Sequence, residues 1–209
     1  MDRRVNLLVL YYSMTGGVYA LATAAAAAAE AAGAEVRVRK VPELAPDAVI
    51  AANEPWAAHR AETAHIPEVT HDDLIWADAY LFGTPTRFGL PAAQVKQFID
   101  TTGGLWAESK MVNKIASSFT STATAHGGQE STILAVNNVF YHWGCIIVPP
   151  GYVDPVQFMA GNPYGGSHTS SNGTVPPNDT EIAAIGFQAR RMVEICAVFL
   201  RGWEETASS

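Results

Sequence analysis

The chain has 209 residues, 48% of them hydrophobic and 16% charged, with a formal charge of −7. This composition excludes intrinsic disorder, and the length allows one substantial domain or barely two. The acidic balance excludes a binder of nucleic-acid backbones, since Arg37, Arg39 and Lys40 form the densest basic stretch.

Residues 5–12 (VNLLVLYY) are a short apolar run, and no small-residue cleavage site follows them. They read as a buried strand rather than a signal peptide. Residues 18–32 are alanine-rich and read as a helix, too short and too weakly apolar to span a membrane. Residues 34–41 (AEVRVRKV) alternate and predict a second strand. Residues 42–69 are rich in Ala, Glu and Pro, with little period. A short helix at 72–77 then precedes a third strand at 79–83 (AYLFG).

A helix at 91–100 places Pro91 at its first position and Val95, Phe98 and Ile99 on one face. Residues 115–120 (IASSFT) predict a fourth strand, 129–143 a helix and 145–148 (CIIV) a fifth strand. A Gly-, Pro-, Ser- and Asn-rich stretch fills 149–177. The last helix opens on a capping-box-like Asn178…Glu181 pair and carries the stripe Ile182, Ile185, Ala189, Met192, Cys196, Phe199 and Leu200.

Five strands alternating with helices imply a doubly wound α/β fold, a parallel sheet covered on both faces. The expected organisation is a single domain over 1–209 with excursions at about 42–69 and 149–177. Cys145 and Cys196 lie among apolar neighbours and read as buried free thiols. With no targeting segment recognised, the cytoplasm is the expected compartment. His59, His65, His71 and His168 lack metal-ligand spacing and read as surface residues, so no metal site is expected.

The chemistry gathers at strand ends. The first strand runs into Ser13, Met14, Thr15, Gly16 and Gly17, with Val18 opening the helix. Hydroxyls, two glycines and a helix start can bind a phosphate through N–H groups and dipole, without a lysine. An ordinary glycine turn capped by Ser13 or Thr15 explains the same residues. The third strand delivers Gly83, Thr84, Pro85, Thr86, Arg87, Phe88 and Gly89. The fourth delivers Ser121, Thr122, Ala123, Thr124, Ala125, His126 and Gly127. Three such strand ends imply a pocket for a phosphorylated, planar, polar-edged ligand at the carboxyl edge of the sheet.

The stretches YYSMTG (11–16), GTPTRFG (83–89), TTGGLW (101–106), HGGQE (126–130), VPPGY (148–152) and NPYGGS (162–167), with His142 and Gly144, carry a family resemblance. The chain resembles the flavodoxin-like WrbA-type NAD(P)H:quinone oxidoreductases across nearly its whole length. The resemblance implies a five-stranded sheet of order 2-1-3-4-5, FMN at the sheet edge, reduction by NADH or NADPH, and two-electron transfer to quinones. It also implies a homotetramer whose sites are completed by neighbouring subunits.

Carried over by position, Ser13, Met14, Thr15, Gly16, Gly17 and Val18 match the phosphate loop. Pro85, Thr86, Arg87, Phe88 and Gly89 match the contacts along the flavin ring. Ser121 to Gly127 match the loop by the ribityl chain and ring edge, His142 a histidine at the flavin, and Trp106 a substrate-site tryptophan. Trp106 and Phe88 then form aromatic walls for nicotinamide or quinone, and His142 or Arg87 stabilises developing negative charge. Departures from the family are Thr15 in place of an aromatic residue, Leu90 in place of Asn, and alanines at 123 and 125 in place of glycine. Alternative readings are a one-electron carrier of the same fold and a non-catalytic regulatory flavoprotein. The modest charge and the long 149–177 stretch favour the reductase.

Overall fold

The apolar run after Val5 becomes a strand buried on both faces because its odd and even residues serve different cores. In the computed structural model, which describes residues 3–207, this is β1 (Asn6–Tyr11). It is followed by α1 (Gly17–Ala31), β2 (Glu35–Lys40), α2 (Asp47–Ala51), α3 (Glu54–Glu62) and α4 (His71–Trp76). Next come β3 (Ala79–Arg87), β4 (Leu90–Pro91), α5 (Ala93–Asp100), α6 (Gly103–Ala107) and β5 (Ile115–Thr122). The chain ends with α7 (Gln129–Trp143), β6 (Ile146–Ile147), α8 (Pro155–Ala160), β7 (Ser167–Thr169) and α9 (Asp179–Ala207).

Leu7, Val9 and Tyr11 pack on one face with Leu21, Ala22, Ala25 and Ala29 of α1 and Ile185, Ala189 and Met192 of α9. Leu8, Leu10 and Tyr12 pack on the other with Val95 and Phe98 of α5 and Val136, Phe140 and Trp143 of α7. This period of two is the reason a continuous apolar run forms a strand and not a helix. Small residues bring α1 and α9 together: a Cβ on Gly186 would stand 3.4 Å from the Ala28 Cβ.

The sheet order is β2-β1-β3-β5-β6, so the five predicted strands take the expected 2-1-3-4-5 order. All pairings along this path are parallel. The fifth strand position is split. β6 pairs with Ile115 and Ala116 at the start of β5, and β7 pairs with Thr120, Ser121 and Thr122 at its end. The chain between them leaves the sheet and returns to it.

Three sequence expectations are corrected. Pro91 does not begin a helix: it lies in β4, which turns back antiparallel on Thr86 and Arg87 of β3. Residues 42–69 are not irregular, since they contain α2 and α3, the latter capped by the Asn53 side chain accepting from Trp56 N–H at 3.2 Å. The 149–177 stretch likewise contains α8 and β7. Elsewhere the Asn178–Glu181 capping box forms, with bonds of 2.8 and 3.0 Å in the two directions. Cys196 is buried and Cys145 half-buried, both thiols free, and burial pushes each up to about 12. Among the described residues, no helix is long and apolar enough to cross a membrane.

Candidate functional site

β1 ends against β3 and releases the chain into a turn that organises itself. The Ser13 hydroxyl accepts the Gly16 N–H at 3.1 Å, and Gly16 takes φ 99°, a left-handed conformation that glycine adopts without steric cost. Gly16 therefore occupies the N-cap of α1 and brings no side-chain acceptor. The first turn contains no acidic residue. A helix start of this kind leaves N–H groups and positive dipole for an anion.

The turn opens into a cavity of about 450 Å³, within the roughly 300–1,000 Å³ typical of small-molecule sites. Ser13, Met14, Thr15, Gly17 and Val18 form one wall, Pro85, Thr86 and Arg87 a second, and Ser121, Thr122 and Ala123 a third. Three strand ends thus meet as their composition predicts. Gly16 lies at the back of the turn, bordering an adjoining cavity. Ala123 and Ala125 are not among the residues of positive φ, so alanine at these positions carries no backbone strain.

β3 runs further than expected and closes with β4 in a two-residue hairpin. Phe88 (φ 56°) and Gly89 (φ 80°) form its tip, both left-handed as a type I′ loop requires. Thr86 braces the tip by accepting the Gly89 N–H at 3.1 Å, and Thr132 of α7 donates to the Thr86 hydroxyl at 2.8 Å. Phe88 is fully exposed, with no protein surface behind its ring. The Arg87 guanidinium reaches across the mouth to Met14 Sδ at 3.5 Å.

Beyond Thr122 the chain forms a tight turn at the rim. The Thr122 hydroxyl donates to the Thr124 carbonyl at 2.7 Å, and Gly127 N–H donates to the same carbonyl at 3.0 Å. Thr124, Ala125 and His126 are exposed there, and they do not line the cavity. Gln129, at the start of α7, donates to the hydroxyls of Thr122 and Thr169 at 3.1 and 3.2 Å.

His142 and Trp106 lie elsewhere. The fifteen residues of α7 span about 20 Å, which sets His142 in the last turn at the opposite end from the cavity. Trp106 of α6 stands beside it, its indole N–H donating to the His142 carbonyl at 2.9 Å. Both side chains are exposed. Within one chain they meet each other and not the cavity.

Sequence reasoning missed the fourth wall. Ser170, Asn172 and Gly173 line the cavity from a strap that returns over the turn after β7. Their signal was the Asn172-Gly173 pair, a common turn dipeptide. Two histidines are also corrected from surface to interior: His59 and His168 are 5% and 1% exposed, whereas His65 and His71 are exposed. Both buried rings back the turn. A Cβ on Gly16 would stand 3.7 Å from His59 Nδ1, and one on Gly17 would stand 3.1 Å from His168 Cδ2. Burial depresses His59 below its ordinary value against the opposing influence of Glu62.

Residues 5–157 match the sequence family described as NADPH-dependent FMN reductase. The chain belongs to that family. A Deinococcus radiodurans protein named NAD(P)H dehydrogenase (quinone) is 45% identical over 201 residues, covering 96% of this chain and 100% of the relative. A protein of the same name from Aromatoleum aromaticum is 42% identical, covering 95% and 99%. Among solved structures, a flavodoxin, WrbA-like protein from Agrobacterium tumefaciens superimposes with a TM-score of 0.65 at 22% identity, over 92% of this chain and 97% of that one. A flavodoxin from the domain Archaea does so at 0.60 and 17%, over 92% and 99%. These two likenesses establish the flavodoxin-like fold.

The donor set of this FMN reductase family member fits FMN. The uncapped start of α1 and the hydroxyls of Ser13 and Thr15 suit a phosphate. The adjoining walls of Pro85 to Arg87 and Ser121 to Ala123 mix apolar surface with donors, as a flat ring with polar edges requires.

Proposed function

We propose that the chain binds FMN and catalyses two-electron reduction of quinones by NADH or NADPH. The observation that carries this reading is the turn from Ser13 to Gly17, an uncapped helix start opening into a cavity, with no lysine in its lining, at the carboxyl edge of a flavodoxin-like sheet. Ser13, Thr15 and the backbone from Gly16 to Val18 bind the phosphate. Pro85, Thr86, Arg87, Phe88 and Gly89 lie along the ring, Ser121, Thr122 and Ala123 along the ribityl chain, and Thr124 to Gly127 at the rim by the ring edge. When bound there, FMN supplies the acceptor for a nicotinamide hydride and the donor of two electrons to a quinone.

Residues of this chain then position and stabilise. The Arg87 guanidinium at the mouth offsets negative charge developing on a quinone oxygen. Phe88, held away from the protein at its hairpin tip, offers a flat apolar face to a stacked ring. His142 and Trp106 act in the site of a second copy, because one chain keeps them at the far end of α7. The assembly is a homotetramer in the cytoplasm. The exposed apolar side chains of Leu90, Tyr141, Val153, Phe158 and Met159 support association.

The test is reconstitution of purified protein with FMN, followed by oxidation of NADH or NADPH with benzoquinone as acceptor. Quinone-dependent turnover that requires FMN supports the proposal. A protein that takes up FMN and oxidises neither nucleotide overturns it. Sedimentation of the same preparation reads the tetramer.

A further inference from the structure

Behind the Ser13 to Gly17 turn lies a buried histidine with no role in the proposed reaction. His168 sits in β7 opposite Ser121 of β5. Its Nδ1 stands 2.9 Å from Glu181 Oε2, and its Nε2 stands 2.9 Å from the Val175 carbonyl. A carbonyl has no proton to give. The Glu181 carboxylate already accepts the N–H groups of Thr169 at 3.2 Å and Asn178 at 2.8 Å. A neutral imidazole owns one N–H and would aim a lone pair at one of these two acceptors. Satisfying both contacts requires one proton more than a neutral imidazole beside a carboxylate, held between His168 and Glu181.

That pair fastens two pieces of the site. Val175 ends the strap that begins at Ser170, whose N–H and hydroxyl donate to the Thr122 carbonyl at 2.8 and 3.0 Å. Between them Ser171, Asn172 and Gly173 have φ values of 46°, 60° and 84°. Two successive non-glycine residues in the left-handed region persist only where surrounding structure holds them. The strap touches the turn, since a Cβ on Gly173 would stand 2.5 Å from Thr15 Oγ1. His168 touches it from behind, at Gly17.

We infer that the proton shared by His168 and Glu181 is a latch that holds strap and turn together, so that losing it weakens the grip on the cofactor phosphate. This rests on the proposed placement of the FMN phosphate in the turn. His168 is a positioning residue. The ionisable group in contact with it is Glu181 from α9, and His59 with Glu62 from α3 lie on the Gly16 side of the turn, by the adjoining cavity. α1 and β5 meet it with Gly17 and Ser121. Burial holds His59 below its ordinary value, away from this pair's range. The latched state binds the extra proton, so rising pH favours the unlatched state and lowers affinity.

The experiment measures dissociation constants for FMN and riboflavin, by flavin fluorescence, between about pH 7 and 9.5, where the phosphate is already a dianion. In the wild type the preference for FMN over riboflavin should fall about tenfold across this range. In Glu181→Gln the side-chain amide can donate to a neutral His168, and the preference should become flat with pH. The weakened cap in that variant acts equally at every pH and creates no slope. His168→Asn should show the low preference throughout.

A strong preference that stays level with pH in the wild type, or a slope unchanged in Glu181→Gln, overturns the latch and leaves the phosphate placement standing. Equal binding of FMN and riboflavin at pH 7 overturns the placement itself. Should His168→Asn not fold, the wild type and Glu181→Gln alone decide.

Discussion

The indole N–H of Trp106 donates to the backbone carbonyl of His142 at 2.9 Å, joining α6 to the last turn of α7 at the end remote from the cavity. The bond orients the ring while leaving 56% of Trp106 exposed. An exposed indole fixed by its own N–H is arranged to present its face to something outside the chain. Trp106→Ala should lower quinone turnover about tenfold, equivalent to roughly 1.4 kcal/mol of stacking, with FMN affinity nearly unchanged. Steady-state kinetics and a flavin titration check this. Unaltered turnover would return Trp106 to a packing role.

Phe88 occupies a backbone conformation that costs a bulky residue about 1 kcal/mol, at a hairpin position where asparagine is preferred. Phe88→Asn should therefore raise the melting temperature by about 2–4 °C while slowing quinone reduction. Thermal unfolding and turnover are read on the same preparation. A lower melting temperature with full activity contradicts both the strain and the stacking role.

Gly16 separates strain from charge. A Cβ at this position meets His59 Nδ1 at an ordinary 3.7 Å, so Gly16→Ala suffers only its φ of 99°, about 1 kcal/mol. Gly16→Asp adds a carboxylate at the start of α1, behind the turn on the side of His59, where it opposes the positive end of the helix and repels the phosphate through the turn. Two charges about 8 Å apart repel by ~2 kcal/mol at an effective dielectric near 20. The FMN dissociation constant should rise at least about tenfold beyond that of Gly16→Ala. Similar values for the two variants would place the phosphate elsewhere.

Asp73 carries the clearest pH dependence of stability. Burial alone would raise its carboxyl, but Thr70 N–H and hydroxyl together with Arg39 and Arg37 outweigh this and hold it below the ordinary value. With the folded value depressed, the contribution is present above the unfolded value of about 3.9 and fades as pH falls through the folded one. Asp73→Asn should cost about 2 kcal/mol at pH 7 and flatten the acid limb. Urea unfolding midpoints across acid pH give the comparison, and an unchanged acid limb refutes it.

The sheet was legible because β1 serves two cores, which demands an uninterrupted apolar run. β6 was read from the apolar run CIIV, whereas β4 and β7 were not, since two or three residues leave no period to read. The 42–69 helices escaped notice for a related reason: α2 has five residues and is held by α3 and its Asn53 cap. The three cavity walls were readable from small polar residues after each strand. The strap was not, because its position depends on β7 pairing with β5. The burial of His168 depends on Glu181, thirteen residues away and brought near only by α9. Gly83 shows a motif residue with a packing reason. A Cβ there would stand 2.2 Å from the Phe119 ring.

The central claim is that the cavity holds FMN able to pass electrons from a nicotinamide to a quinone. Its most direct test is an anaerobic titration of the FMN-loaded protein with NADH and then NADPH, followed by flavin absorbance, with a quinone added last. Bleaching by at least one nucleotide and recovery of colour on adding quinone is the predicted result. Flavin that stays yellow with both nucleotides contradicts the account.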